Sequence, residues 1–463
     1  MTSTTTASSG PETSSPTDTD QAPHVNHEMP LRPTRERWAR RRSALTMLIV
    51  VALAVTLTVT VRPNHTDAVL ADTSASGLIP ITPRRMYDSR TTGVALTTSA
   101  TGTTHEIPLG DGITRELAAL GEPGLPITGA YINVTVVDPT ASGFLTLHPT
   151  PSSIPDASIV NFTRGDVIAN GSLITLIDGT IHATLITPTG DGAAHIIVDV
   201  FAITAEIGTS PSVRHIDLTA PQRLLDTRRS EPVDAGGDTV VPTGSRHPIL
   251  ANVTLINDLP DSAPTFISPG DSRNDQPIDV SFLNATSGQI RANTTLLVPD
   301  DNGNIKLHNA AGKSHILVDL VARFTDDDHA GTITFLDEPF RAIETRPRPI
   351  GPGQSERWDL TPFLSSLTAQ RPGLAANRAT ALIGNLTTTG FAPRTPVFPT
   401  TTFLTVFATD GPPPDVSHIN VTDNVDLANN GIFPVTDDSL HIYNHDGTVD
   451  YLIDVTAIIL ERP

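Results

Sequence analysis

The sequence contains no cysteine. This absence excludes disulfide bridges, cysteine-ligated zinc and thiol catalysis, so every folded part must be stabilised by an apolar core of its own. Aromatic residues are also scarce, because Phe, Trp and Tyr together make up only 4% of the chain. Sugar binding by stacking normally requires exposed aromatic rings. The scarcity therefore argues against several aromatic sugar-binding platforms.

Basic residues are the second deficit of this sequence. The 463-residue chain has 30 Lys and Arg against 50 Asp and Glu, which gives a net charge of −20. Because binding to phosphates requires clustered Lys and Arg, we expect no nucleic-acid partner. The length exceeds that of one typical domain, about 100–200 residues, so several domains are expected.

One long apolar run lies near the N-terminus. Residues 43–61, SALTMLIVVALAVTLTVTV, contain no charge, Pro or Gly. At about 1.5 Å per residue, a helix of this length reaches about 28 Å, which matches the hydrocarbon core of a bilayer. Six Arg lie between Arg32 and Arg42, before the run, whereas the acidic Asp67 and Asp72 follow it. The pattern predicts a single transmembrane helix with the N-terminus in the cytoplasm.

The flanks of this run have a different composition. Residues 1–42 are rich in Ser, Thr, Pro and Asp and end in the basic cluster, which predicts a disordered cytoplasmic tail with a basic flank. Residues 62–77 are interpreted as a linker. The small residues that end at Ala71 also permit cleavage of a signal sequence, so a secreted form is the alternative to a retained anchor.

From about Gly77 onward, short β-branched runs alternate with Gly, Pro, Asn and Asp, which is typical of many-stranded β domains. Four sequence marks then recur in the same order. The first is R-x-x-[DE]-[ST]-R, with charged residues Arg85, Asp88 and Arg90, then Arg223, Asp226 and Arg228, then Arg341, Glu344 and Arg346. The second is an Asn-Val/Leu-Thr strand at Asn133, Asn252 and Asn385.

The other two marks lie in the second half of each copy. One places two Asn nine residues apart, as Asn161 and Asn170, Asn284 and Asn293, and Asn420 and Asn429. The other is an apolar closing strand that contains Asp199, Asp319 or Asp454. We therefore predict an all-β fold of three tandem antiparallel β-sandwich modules, residues 78–206, 215–325 and 331–461. Their short linkers predict a semi-rigid rod, and short helices are expected within residues 109–124 and 361–374.

The charged and amide residues of the marks are interpreted as structural. A carboxylate in an apolar closing strand is expected to be buried, and a buried carboxylate requires a partner. The expected partner is the second Arg of the opening mark, Arg90, Arg228 or Arg346, because Arg can bind a carboxylate with two hydrogen bonds. The paired Asn are expected to satisfy backbone groups at strand turns.

Two further patterns resemble parts of a catalytic or a metal-binding site. His195 and His315 precede the closing Asp by four residues, but no Ser is specifically placed with them, no Gly-x-Ser-x-Gly elbow is present, and the third copy lacks the His. Residues 300–304, DDNGN, resemble a calcium loop, yet Ala311 stands where a bidentate acid is needed. A tight Asn-Gly turn is the better interpretation. The sequence therefore predicts no catalytic, cofactor-binding or metal-binding residue.

The combination of Arg-Leu-Leu-Asp-Thr-Arg at residues 223–228 with Asn-Val-Thr, Ser-x-x-Asn-Phe and a final Val-Asp-Val resembles the repeated β modules of secreted and surface proteins of actinobacteria. The resemblance covers approximately residues 78–461. It is weakest in the third copy, where Glu344 replaces Asp and Asp450 stands where the others have His. Such modules commonly accompany a signal or an anchor, and sometimes a hydrolase domain. The resemblance implies an extracytoplasmic location and no particular reaction.

These patterns together predict a single-pass protein of the plasma membrane with extracytoplasmic modules. We expect a non-enzymatic structural or interaction protein of the cell envelope whose partner is an envelope protein or a wall component. No cofactor is expected, and the oligomeric state is left open. Two alternative functions remain: a protein that binds cell-wall glycan, and a wall hydrolase whose site the sequence does not display.

Overall fold

The computed structural model describes residues 75–99, 101–152, 154–270, 279–370, 378–393, 401–422 and 425–461. These residues belong to one compact unit. The predicted tail (1–42), the predicted transmembrane helix (43–61) and nearly all of the predicted linker (62–77) lie outside the described residues. Within the described ranges, no helix is both long enough and apolar enough to cross a membrane. Residues 78–206, 215–325 and 331–461 are called the first, second and third segments below.

Antiparallel strands make up most of the described chain, which confirms the all-β prediction. The strands in and just before the first segment are β1 (Ser76–Asp88), β2 (Leu96–Thr97), β3 (Thr103–Pro108), β4 (Ile127–Val137), β5 (Gly143–His148), β6 (Val160–Phe162), β7 (Val167–Thr175), β8 (Thr180–Ile186) and β9 (Ala193–Glu206). Those of the second segment are β10 (His215–Asp226), β11 (Gly237–Pro242), β12 (Ile249–Asn257), β13 (Thr265–Pro269), β14 (Leu283–Ala285), β15 (Gln289–Leu297), β16 (Asn304–Asn309) and β17 (His315–Thr325). Those of the third segment are β18 (Thr332–Glu344), β19 (Gln354–Asp359), β20 (Arg378–Ala392), β21 (Thr401–Phe407), β22 (Ile419–Thr422), β23 (Leu427–Pro434), β24 (Ser439–Asn444) and β25 (Thr448–Glu461).

Helices are few and short. Gly110–Ala119 and Thr361–Gln370 lie where short helices were predicted. In the first of these, Ile113 and Leu117 are buried and lie four residues apart, so one helical face packs on the core. Two shorter helical elements among the described residues are a turn of α-helix, Ser89–Thr92, and a 3-10 turn, Thr227–Arg229, each directly after an opening strand.

The strand order repeats from segment to segment. The opening strand, the closing strand, the Asn-Val/Leu-Thr strand and a fourth strand form the inner sheets β1-β9-β4-β7, β10-β17-β12-β15 and β18-β25-β20-β23. The outer sheets are β3-β8-β5-β6, β11-β16-β13-β14 and β19-β24-β21-β22. A pairing of Ser76 with Ile333 joins the first and third inner sheets into one nine-stranded sheet that also includes β2.

The inner strands are apolar on both faces. Strands β4, β9 and β25 each contain at least nine consecutive buried residues, whereas the edge strands β3, β11 and β19 of the outer sheets contain at most one buried residue each. A strand buried on both faces reads as a continuous apolar run, as HIIVDVFAI does in β9. One face of each inner sheet therefore has its own outer sheet to cover it, and the other face requires a second partner.

The other two segments supply that partner, so the expectation of a rod is wrong. One apolar cluster contains Phe201 of the first segment, Phe324 of the second and Phe335 of the third. Backbone bridges link Leu78 to Arg214 and Ile216 to Gly331, where the opening strands begin. Short linkers are compatible with either arrangement. Burial of the second apolar face of each inner sheet favours the compact one.

Candidate functional site

The four repeated marks meet at three equivalent positions of the inner sheets. The strand register places Arg85 opposite Asp199 and Asp199 opposite Asn133. Residues directly opposite on neighbouring strands project to the same face, so these three side chains form one row. We call this row the first node. The second node is Arg223, Asp319 and Asn252, and the third is Arg341, Asp454 and Asn385, with the same register.

An ion pair lies at the centre of each node. Arg341 Nε and Nη2 lie 2.8 and 3.1 Å from the two carboxylate oxygens of Asp454. The equivalent distances from Arg85 to Asp199 are 3.0 and 3.4 Å, and Arg223 binds Asp319 in the same way. The closing Asp is buried in every node, as predicted. Its partner is the first Arg of the opening mark, so the expected pairing with Arg90, Arg228 or Arg346 is wrong.

The strand irregularity explains this choice of Arg. Two register shifts flank Arg85, one between Pro80 and Arg84 and one between Arg85 and Tyr87, and the same pair of shifts recurs around Arg223 and Arg341. Bulges of this kind redirect a side chain. The opening strand of the first segment also ends at Asp88, so Arg90 lies in the following helical turn rather than on the strand.

The second Arg of each mark is used locally. Asp88 accepts hydrogen bonds from the backbone N–H of Arg90 at 3.0 Å and from its guanidinium at 2.9 and 2.7 Å. Asp226 and Arg228 repeat these contacts, and Arg346 binds Glu344 at 2.8 Å. The hydrogen bond from Arg228 lowers the pKa of Asp226 to about 2. The acid and the second Arg therefore stabilise the turn that follows the strand.

Burial has the opposite effect on the closing carboxylates. It raises the pKa of Asp199 to about 6, although Arg85 opposes the shift, and it also raises the pKa of Asp319 and of Asp454. Desolvation of the carboxylate thus exceeds the stabilisation that the guanidinium supplies. Burial of each closing carboxylate therefore costs free energy, and the Arg of the same node offsets part of this cost.

The Asn residues of the marks connect one segment to the next. Asn293 of the second segment donates to Asn133 Oδ1 at 2.9 Å and accepts from the N–H of Gly171 at 2.9 Å, both in the first segment. Asn429 likewise donates to Asn252 Oδ1 and accepts from the N–H of Thr294. Asn170 donates to Asn385 Oδ1 and accepts from the N–H of Asn430. The second segment therefore binds the first, the third binds the second, and the first binds the third. The contacts close into a ring.

The other Asn of each pair does less. Asn161 and Asn284 are buried, and their Nδ2 atoms have no hydrogen-bond partner among the described residues. Asn420 Nδ2 donates to Ser417 Oγ at 3.1 Å. Three of the six Asn do satisfy backbone groups, as expected. Asn170, Asn293 and Asn429 donate to the carbonyls of Ile159, Phe282 and His418 and accept from backbone N–H groups of the neighbouring segment. The Nδ2 atoms of the other three make no such bond to backbone.

Each node also contacts a loop of the neighbouring segment. We call one node together with the loop that it contacts a joint. Asn133 donates to the carbonyl of Ser281, Asn252 to that of Ser417 and Asn385 to that of Ser158. The first joint lies between the first and second segments, the second between the second and third, and the third between the third and first. In the third joint the backbone N–H of Ser158 also donates to Asp454 at 3.3 Å.

Sequence reasoning missed the acidic residue of these loops. Asp156 lies 3.4 Å from Arg341, and the backbone carbonyl of Asp415 accepts from Arg223 at 3.3 Å. Asp279 lies within electrostatic range of Arg90 and Asp199. The signal was present, because D-A-S-I-V-N, D-V-S-F-L-N and D-V-S-H-I-N at residues 156–161, 279–284 and 415–420 share the acid two residues before the Ser.

The hydroxyl of the opening mark lies beside the His of the closing strand in the first two segments. Ser89 Oγ is 3.1 Å from His195 Nδ1 and accepts from the N–H of Ile196 at 2.9 Å. The expectation that no Ser is placed with the His is therefore wrong. Thr227 repeats both contacts with His315 and Ile316, and Thr345 binds Asp450 and the N–H of Tyr451 instead. Because Ser89 is fully buried and already bonded on both sides, this contact fits strand closure better than nucleophilic attack.

Two acidic clusters contain oxygen atoms of the kind that bind metal ions. Asp327, Asp328 and His329 lie close together, but all three are exposed, as ordinary acidic surface groups are. At residues 300–304, the Asp300 carboxylate accepts from the N–H groups of Asn302 and Asn304 at 2.8 Å, and Gly303 has a φ of 77°. The side chain therefore stabilises the turn between β15 and β16, in agreement with the turn interpretation.

Comparison of the chain with protein-family models and with curated proteins finds no match.

Proposed function

We propose that this chain is a single-pass envelope protein whose residues beyond the apolar run are extracytoplasmic and serve a non-enzymatic structural or interaction role. In this proposal, the three segments are copies of one antiparallel β-sandwich module and close on one another as a ring. The ring presents the outer sheets to the envelope. A partner would be an envelope protein or a wall component.

The contacts that the repeated polar residues make are the observation that supports this proposal. Arg85, Asp199 and their equivalents in the other nodes bind one another, and Asn170, Asn293 and Asn429 bind the neighbouring segment. The residues that recur in all three copies are thus occupied in holding the chain together. An active site would instead leave reactive groups converging on an open cleft.

The location rests on the sequence. The apolar run at residues 43–61 follows a cluster of Arg, and acidic residues follow the run. The resemblance to actinobacterial surface modules points to the same side of the membrane. A net charge of −20 supports a partner other than a nucleic acid.

Protease accessibility tests the location. Protease added to intact spheroplasts should remove the residues beyond about Asp72 and spare an epitope tag placed before residue 32, with a cytoplasmic enzyme as the control for integrity. Protection of the segments in intact spheroplasts, together with cleavage after detergent lysis, would reverse the proposed orientation. A mature N-terminus at Asp72 in the medium would replace the anchored form by a secreted one.

Cross-linking on intact cells tests the role. Recovery of the same envelope protein or wall fragment with the full chain in repeated experiments would support an interaction protein. Turnover of purified wall polymer by the chain, abolished by a single substitution in one segment, would instead establish the hydrolase alternative.

A further inference from the structure

The second joint contains a pocket that the contacts between segments do not fill. Its volume is about 260 Å³, and it is bounded by Arg228 and Ile256 of the second segment and by Phe403, Asp415 and Asn420 of the third. The pocket is smaller than the roughly 300–1,000 Å³ of sites that take drug-sized ligands, so it suits a single ring-sized unit.

The wall from the third segment carries the aromatic surface. Phe403 stacks on His445, with ring centroids 4.5 Å apart and an angle of 14° between the planes, and Tyr443 lies 6.3 Å from Phe403. Phe144 and Phe266 occupy the equivalent strand position, because each lies opposite the Asn of its loop, as Phe403 does. The chain on the other side of Phe403 supplies His445, whose N–H donates to the Phe403 carbonyl. The residue at this place is Ile186 beside Phe144 and Ala310 beside Phe266, neither of which has a ring. The stacked pair therefore belongs to the third segment.

Charged groups of both signs lie in or beside the pocket. Arg228 is bound to Asp226 and Arg223 to Asp319, while the Asp415 side chain is exposed at the rim. Both guanidinium groups of the lining are thus already paired with a carboxylate, and Asp415 adds a negative charge at the rim, which disfavours an anion. Thr254 also borders the pocket, is only 2% exposed, and its hydroxyl has no hydrogen-bond partner among the described residues. A buried hydroxyl of this kind normally has one.

We propose that the second joint binds one neutral sugar unit. The apolar face of a sugar ring would lie against Phe403 and Ile256, as C–H groups pack on aromatic and aliphatic side chains. Its hydroxyls can both donate to Asp415 and accept from Arg228, whereas a simple anion can only accept and a simple cation can only donate. The proposal does not depend on the membrane anchor or on the orientation of the chain.

Saturation-transfer NMR on the purified full chain tests the site. The ligands are the methyl glycosides of galactose, mannose, arabinose and N-acetylglucosamine, with glucuronate and inorganic phosphate as charged comparisons. We expect transfer to at least one neutral glycoside. Phe403→Ala should reduce its affinity roughly fivefold or more, the loss expected for one stacking ring, whereas Phe144→Ala, which removes the equivalent ring of the first segment, should leave it unchanged.

A second substitution covers a failure of Phe403→Ala to fold. His445→Ala removes an exposed ring that supports Phe403, so it should preserve the thermal unfolding midpoint and still weaken binding. Absence of transfer to every neutral glycoside would overturn the proposal. So would transfer to the charged comparisons alone, or an equal loss of binding in Phe144→Ala.

Discussion

The ion pair of the third node allows a quantitative test of the role assigned to the marks. Asp454→Ala removes a carboxylate that accepts two hydrogen bonds from Arg341 and one from the Ser158 N–H of another segment. Removing one partner of a buried pair typically costs about 3–5 kcal/mol, because the remaining charge is left uncompensated. Arg341 keeps 17% of its side-chain surface exposed and can take up water, so we expect the lower end, about 3–4 kcal/mol.

The assay is chemical denaturation of the full chain, followed by circular dichroism. Asp156→Ala is the matched control, since Asp156 contacts the same Arg341 but is 96% exposed, and it should leave the midpoint nearly unchanged. Replacement of the whole pair by Arg341→Met and Asp454→Leu should recover most of the lost stability, because no unpaired charge then remains. An unchanged midpoint for Asp454→Ala, or equal losses for both Asp→Ala variants, would refute the reasoning.

Other predictions address the remaining polar contacts. The pKa of Asp199 rises from 3.8 to about 6 on folding, so the folded chain binds more protons between these values and loses stability as pH rises through them. Relative to Asp199→Asn, the wild-type free energy of unfolding should fall by about 2.5 kcal/mol between pH 4 and pH 7; a constant difference would contradict the shift. Asn293→Ala should cost about 2–4 kcal/mol in denaturation, because three buried groups lose their partner. Asn284→Ala, whose Nδ2 is unpaired, is its control and should cost less. Ser89→Ala should destabilise the chain by about 1 kcal/mol, and its loss of any hydrolytic activity at unchanged stability would argue for catalysis instead.

The ion pairs show how far a local argument reaches. An acid among Ile, Val and Phe must have a cationic partner, and the sequence offers the Arg residues of the opening mark, so pairing of first and last strands was predictable. The identity of the Arg was not. It depends on the bulges around Arg85 and on the end of the strand at Asp88, which only the register of β1 against β9 determines.

The arrangement of the segments shows where sequence signals were present but ambiguous. Short linkers fit a rod as well as a compact unit. The uninterrupted apolar run of β9 already indicated burial on both faces, which a rod of separate sandwiches does not require. The shared acid of the loops, Asp156, Asp279 or Asp415, was also visible in all three copies, although its contact with a neighbouring node was not.

Sequence alone determined the all-β class, the three copies of the marks, the burial of the closing Asp and the need for an Arg partner. These depend on composition, periodicity and the cost of an unpaired charge, all of which act over a few residues. Tertiary structure alone decided that Asn293 binds Asn133, that the segments close into a ring and that a pocket forms beside Phe403. Such contacts join residues more than a hundred positions apart, so no local pattern encodes them.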